Sequence, residues 1–122
     1  MIGTEEVGVG REAVDLTETR VVVEWAPFRL KEDVDEAELM KASRAVQAQF
    51  LSKQEGLLRR ELLKGEGGRW VDIAYWKTHE AADRAAERFW ENPVCLAYAQ
   101  LMANPEDAGA DVAYFERVEE YS

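Results

Sequence analysis

In "RWVDIAYW", residues 69–76, both alternating sets of side chains are largely apolar. Read as a strand, the segment puts Trp70, Asp72, Ala74 and Trp76 on one face and Val71, Ile73 and Tyr75 on the other. Neither set is polar enough to be left in water, so the strand must be covered on both sides. After Trp76 the period changes. "THEAADRAAERFW" follows helical spacing, with Thr78 as N-cap and Ala81, Ala82, Ala85, Phe89 and Trp90 on or near one face. Helices of the same chain can cover one face of such a sheet. The other face calls for a second subunit, and a two-fold homodimer is the commonest solution.

The flanking segments complete a doubled β-α-β unit. "RVVVEWAPFRL", residues 20–30, has the β-branched and aromatic content of a strand, with Pro27 tolerable only at its edge or end. A helix follows, capped by Asp35 with Glu38 three residues on, and carrying Leu39, Ala42, Val46 and Phe50 at helical spacing. Gly56 suits its end. "LLRRELL" and "RWVDIAYW" flank "KGEGG", whose glycines fit a hairpin. "ENP" breaks the second helix: Asn92 can cap, and Pro93 suits the first position of a new segment running over Val94–Ala103 and ending before Pro105. "ADVAYFERV" is the last strand. Four strands and two helical regions predict an α+β, ferredoxin-like β-α-β-β-α-β sandwich. Residues 1–19, Gly-rich and acidic, read as a flexible N-terminal extension to a domain over 20–122.

The charge of −10 disfavours nucleic acid and anionic membrane surfaces, which need clustered Lys and Arg. One cysteine and one histidine leave no intramolecular disulfide and few ligands for a transition metal. The first residues show neither a basic n-region nor a continuous apolar run, and no stretch approaches a spanning length; a cytoplasmic location is expected.

The strand start "VVVEW", the strand-to-helix passage "YWKTHEAADRA" and the broken helix "FWENPVCLAY" together resemble the dimeric α+β barrel superfamily. More narrowly, the chain is similar to the antibiotic-biosynthesis-monooxygenase-like proteins over roughly residues 20 to 120. The resemblance implies a homodimer. It also implies one of several activities, since members include cofactor-free oxygenases, haem-degrading enzymes and isomerases. Haem-degrading relatives carry a histidine in the restarted helix and an asparagine on the first strand. Here Gln100 and either Glu24 or Trp25 stand at those places, so an axial imidazole is missing and no cofactor is expected.

The single histidine, His79, falls in the first turn of a helix, where partial positive charge disfavours imidazolium; it reads as a boundary residue. Cys95 follows a helix start, which favours the thiolate, but it lacks a Cys or His partner and reads as packing. Trp70, Tyr75, Trp76, Phe89, Trp90 and Tyr98 cluster at the third strand and broken helix, either as solid core or as the walls of a pocket for a flat organic ligand. Arg59 and Arg60 are adjacent on a strand and point to opposite faces: one to solvent, the other to an ion pair with Glu24, Asp72 or Glu116, or to an anionic ligand. The candidate ligand-binding set is Trp76, Trp90, Tyr75, Tyr98, Arg59 and Arg60, with no catalytic residue assigned. The expected function is binding of a small aromatic or hydrophobic ligand, with cofactor-free oxygenation of an aromatic or polyketide-like compound as the sharper form. A non-catalytic dimeric metabolite-binding or assembly domain is the alternative.

Overall fold

The computed structural model describes residues 20–104 and 109–122. The proposed extension over 1–19 and the helix-ending Pro105 lie outside the described residues. Eight elements follow in order: β1 (Val22–Arg29), α1 (Glu36–Gln49), a 3-10 turn (Leu51–Lys53), β2 (Leu57–Lys64), β3 (Arg69–Trp76), α2 (His79–Phe89), α3 (Pro93–Ala99) and β4 (Ala113–Glu116). The four strands form one antiparallel sheet in the order β2-β3-β1-β4. This is the ferredoxin-like arrangement expected, with the helices on one face.

Local chemistry fixes the helix starts. Asp35 Oδ1 accepts from the Glu38 N–H at 2.8 Å, and Thr78 Oγ1 accepts from the Ala81 N–H at 3.0 Å. Asn92 Oδ1 accepts from the N–H groups of Val94 and Cys95, while Pro93, with no N–H to leave unpaired, occupies the first helical position. The break between α2 and α3 is therefore written into Asn92-Pro93. α3 is shorter than the pattern implies, ending at Ala99 with Gln100 as its C-cap.

Gly56 does not end α1. The helix stops at Gln49, and Gly56 lies beyond the 3-10 turn at φ +91°, where a Cβ would sit 2.6 Å from that of Ala81. The glycine is required by close approach of this turn to the start of α2. Pro27 sits within β1, yet β4 pairs only with Val22–Trp25, so from Ala26 onward β1 has β3 as its one strand neighbour. The proline thus occupies a locally free edge.

The core lies between helices and sheet. Leu39, Val46 and Phe50 from the α1 face and the following turn meet Val22, Trp70, Ala74 and Trp76 from the sheet, with Ala81, Ala82 and Ala85 from α2 and Cys95 and Tyr98 from α3. Complete burial of a side chain such as Leu39 contributes about 1.5–3 kcal/mol. Strand alternation resolves in favour of Trp70, Asp72, Ala74 and Trp76 facing the helices. No helix among the described residues is long and apolar enough to cross a membrane.

Candidate functional site

The cross-strand register builds an unusual square on the helix-facing side of the sheet. Glu24 lies opposite Ala74, and Ala26 lies opposite Asp72, so two carboxylates and two alanines occupy alternate corners. Diagonal partners of this kind are about 7–8 Å apart. Two methyl groups cannot fill the space that larger side chains would take, and a hollow remains above them.

That hollow is the floor of a cleft of about 950 Å³. Trp70, Trp76 and Phe28 of the sheet, Ala85 and Phe89 of α2 with its C-cap Trp90, and Tyr98 of α3 contribute its walls. The rings are mutually ordered: Phe28 stacks on Trp70 with centroids 6.4 Å apart and meets Tyr98 edge-on at 6.2 Å, while Trp90 meets Phe89 edge-on at 4.9 Å. Trp90 is 45% exposed, as expected of a ring at the mouth. The cleft is open, and it reaches past the uncovered stretch of β1 to Trp25 and Pro27 of the outer face. Its volume is at the upper end of the ~300–1,000 Å³ usual for ligand sites.

Asp72 is the hub of a closed polar network. Arg60 grips it through two bonds, Nε to Oδ1 at 3.0 Å and Nη2 to Oδ2 at 2.8 Å, and the Tyr98 hydroxyl donates to Oδ2 at 2.7 Å. Arg60 Nη1 donates to the Ser43 carbonyl at 3.0 Å, tying β2 to α1. The pair is largely shielded from water. Burial opposes the Arg60 charge, but the Asp72 carboxylate outweighs it and holds the guanidinium above its usual value. Burial, reinforced by the adjacent Asp72 carboxylate, pushes the Tyr98 phenol far up, so it remains a neutral donor.

Glu24 differs. Its Oε1 accepts from the Trp76 indole N–H at 2.9 Å, which orients the carboxyl. Burial raises its pKa above 4.5; the Trp76 hydrogen bond opposes this, nearby Asp72 adds to it and Arg60 partly offsets it. A carboxyl held in a largely apolar cleft with a raised pKa is a proton acceptor of improved basicity. Burial and the neighbouring Glu24 and Asp83 carboxylates also push Tyr114, another lining residue, up to about 12.

The candidates from sequence therefore separate. Trp76, Trp90 and Tyr98 line the cleft. Arg60 stands behind its floor, committed to Asp72. Tyr75 and Arg59 lie on the opposite sheet face, where both bond Glu61. The cause is a bulge: the register shifts between Leu57 and Arg59, so Leu58 is the extra residue and Arg60, not Arg59, faces the helices. From sequence, Asp72 reads as an ion-pair partner, and Glu24 as an ion-pair partner or as the residue, with Trp25, at the place of the relatives' first-strand asparagine; neither reading puts the two acids together in the cleft. The available signal was the alternation E-x-A in β1 against D-x-A in β3, two acids each two residues from an alanine.

The remaining candidates fall outside the cleft. His79 opens α2, more than half exposed, with Nδ1 3.3 Å from Asp83 and its ring 5.5 Å from that of Tyr114. Cys95 is fully buried, and burial pushes its thiol up to about 11, the reverse of activation. Gln100 is exposed at the end of α3. Among the described residues no group of three or more His, Cys, Asp or Glu is placed to hold a metal.

No protein-family model matches the chain, and no curated protein matches it either. Solved structures do. SnoaB, a cofactor-independent oxygenase from Streptomyces nogalater, is 21% identical, with 84% of this chain and 96% of SnoaB covered at a TM-score of 0.57. A Caulobacter crescentus protein provisionally assigned as an antibiotic biosynthesis monooxygenase is 17% identical, with 86% and 96% covered at a TM-score of 0.60. A Nitrosomonas europaea protein with the same provisional assignment is 21% identical, with 83% and 91% covered at 0.56. The chain has the ferredoxin-like α+β fold of the antibiotic-biosynthesis-monooxygenase-like proteins. At these identities the likeness is one of fold.

Proposed function

We propose that the protein is a small-molecule oxygenase of the monooxygenase-like dimeric α+β barrel class, acting without a cofactor on an aromatic, polyketide-like compound. The observation that carries this reading is Glu24: a carboxyl of raised basicity, aimed by Trp76 and set in a cleft walled by aromatic rings. The cofactor-independent oxygenase among the fold relatives supports it.

Oxygen reacts directly with an electron-rich carbanion, so the protein's task is to make and shelter one. Glu24 removes a proton from a CH2 group flanked by aromatic rings. The carbanion passes one electron to O2, the two radicals combine, and a C–O bond forms. The proton held by Glu24 returns to the outer oxygen, giving a hydroperoxide. Loss of the remaining C–H proton and cleavage of the O–O bond then release water and leave a ketone, so that CH2 and O2 become C=O and H2O. The rings hold the substrate flat and exclude water. Tyr98, locked to Asp72, shapes the floor rather than trading protons.

The outer sheet face completes the assembly. Trp25, Leu63 and Phe115 are 40%, 44% and 57% exposed there, beside Val23, Val71 and Ile73. A second copy of the chain is the occupant proposed. Sedimentation at micromolar concentration should give twice 13.9 kDa, and a lone monomer would refute the dimer.

Oxygen uptake with anthrone as substrate, corrected for its spontaneous oxidation, tests the activity. The rate should rise with pH through one ionisation above 4.5 and fall at least about a hundredfold in Glu24→Gln, as for loss of a general base. Uptake no faster than the uncatalysed rate would leave a binding domain rather than an oxygenase.

A further inference from the structure

A carboxylate is a weak base toward a C–H bond, so Glu24 can remove the proton only if the electron pair left behind spreads onto an electronegative atom. In an aryl ketone such as anthrone that atom is the carbonyl oxygen, across the central ring from the CH2 group. Charge developing there calls for a hydrogen-bond donor already in place. The strand register supplies one. Tyr114 of β4 lies directly opposite Glu24 of β1, and both line the cleft. Neighbouring strands are about 4.8 Å apart, comparable to the span of one six-membered ring with its carbonyl. The two phenols of the cleft differ in what they can still bind. Tyr98 spends its hydroxyl on Asp72, whereas the Tyr114 hydroxyl has no hydrogen-bond partner among the described residues. Burial and the Glu24 and Asp83 carboxylates push the Tyr114 phenol up to about 12, so it stays protonated at neutral pH.

We infer that the Tyr114 hydroxyl is the oxyanion donor of the reaction, donating a hydrogen bond to the substrate's carbonyl oxygen as Glu24 takes the methylene proton. The C–H electron pair moves through the ring system onto that oxygen and leaves an enolate. The proton goes to Glu24, and the phenol keeps its own. When the enolate passes an electron to O2 and the C–O bond forms, the carbonyl is restored and its bond to Tyr114 weakens again. A bond to the enolate is charge-assisted and stronger than one to the ketone, so the contribution of Tyr114 belongs to the rate rather than to affinity. The inference rests on the oxygenase reading and deepens it by naming the second group that acts on the substrate.

Exchange of the anthrone CH2 protons for deuterium in D2O under nitrogen, corrected for the spontaneous rate, separates proton removal from the oxygen step. Wild type should accelerate it. Tyr114→Phe, which keeps the ring and removes only the hydroxyl, should slow exchange and oxygen uptake alike by about a hundredfold, with KM changed by less than about threefold. The pH midpoint at which bound anthrone becomes its enolate, read by absorbance under nitrogen, should rise in the same variant, a shift that a purely structural tyrosine would not cause. Exchange within about threefold of wild type, an unmoved midpoint, or a raised KM at unchanged kcat would overturn the inference. Exchange that depends on Tyr114 without oxygen uptake would refute the oxygenase reading alone. Uptake that Tyr114→Phe leaves intact would refute the inference alone, and neither exchange nor uptake in wild type would overturn both.

Discussion

Truncating Arg60 should be among the most damaging single changes in this protein. The side chain is 7% exposed and its partner Asp72 16%, so the pair is nearly removed from solvent. Arg60→Ala deletes both bonds to Asp72 and the bond to the Ser43 carbonyl, leaving the carboxylate with Tyr98 alone. Removing one partner of a buried pair costs about 3–5 kcal/mol, because the remaining charge stays desolvated. Against a total stability of roughly 5–15 kcal/mol for a domain, that is a large share. At about 3–6 °C per kcal/mol for a chain of this length, between the values for smaller and larger domains, Tm should fall by roughly 9 °C or more. Urea unfolding and thermal melts measure both. Replacing the set together, as Arg60→Met/Asp72→Leu/Tyr98→Phe, should recover most of the loss, since apolar groups of similar volume need no partners. The exposed pair Lys64–Glu36 is the control, and Lys64→Ala should cost at most about 1 kcal/mol. A loss below about 1 kcal/mol for Arg60→Ala, or a triple variant no more stable than the single, would refute this account of the network.

Glu24 carries a stability penalty with a definite pH dependence. Its folded pKa is raised by burial, so the native state holds the proton more tightly than the unfolded chain, and stability falls as pH rises from 4.5 through the folded value. Glu24→Gln lacks that loss; its stability relative to wild type should increase from below pH 4.5 to neutrality, whereas a constant difference in pH-dependent melts would refute the burial argument. Trp90→Ala should cost about 1–2 kcal/mol in urea unfolding, short of the ~3–5 kcal/mol for a fully packed aromatic, while weakening ligand binding at least about tenfold; a full core-type loss would mean that Trp90 is not a cleft wall. His79→Gln should shift stability within about ±0.5 kcal/mol and leave oxygen uptake unchanged, because His79 is exposed and outside the cleft. Lost uptake with an intact fold would return the histidine to the chemistry.

The element order was legible because each signal was local: the period change after Trp76, the caps Asp35, Thr78 and Asn92, and the hairpin glycines all act within a few residues. The two-sided apolar character of β3 was equally plain. Alternation alone left its inward face undecided, since either set could meet the helices. For the arginines, the deciding feature was the extra residue Leu58 in β2, which moved Arg59 outward and Arg60 inward. A bulge depends on the partner strand, and nothing in "LLRRELL" marks it. The Glu24–Asp72 square was hidden for the same reason: it exists only once β1 and β3 pair in this register, across strands separated by a helix and a hairpin. The aromatic walls were visible as composition. Their acidic floor was a product of topology.

The central claim is that Glu24 is a shielded proton acceptor placed where the ligand binds. Isotope-edited NMR of the glutamate side-chain carboxyls, titrated with pH and assigned by the loss of one signal in Glu24→Gln, tests it directly. Glu24 should titrate above 4.5 in the free protein. Saturating the cleft with anthrone under nitrogen should then raise that midpoint further, as displaced water leaves the ionised form less solvated. A midpoint at or below 4.5, or one that the bound ligand leaves unmoved, would contradict the account.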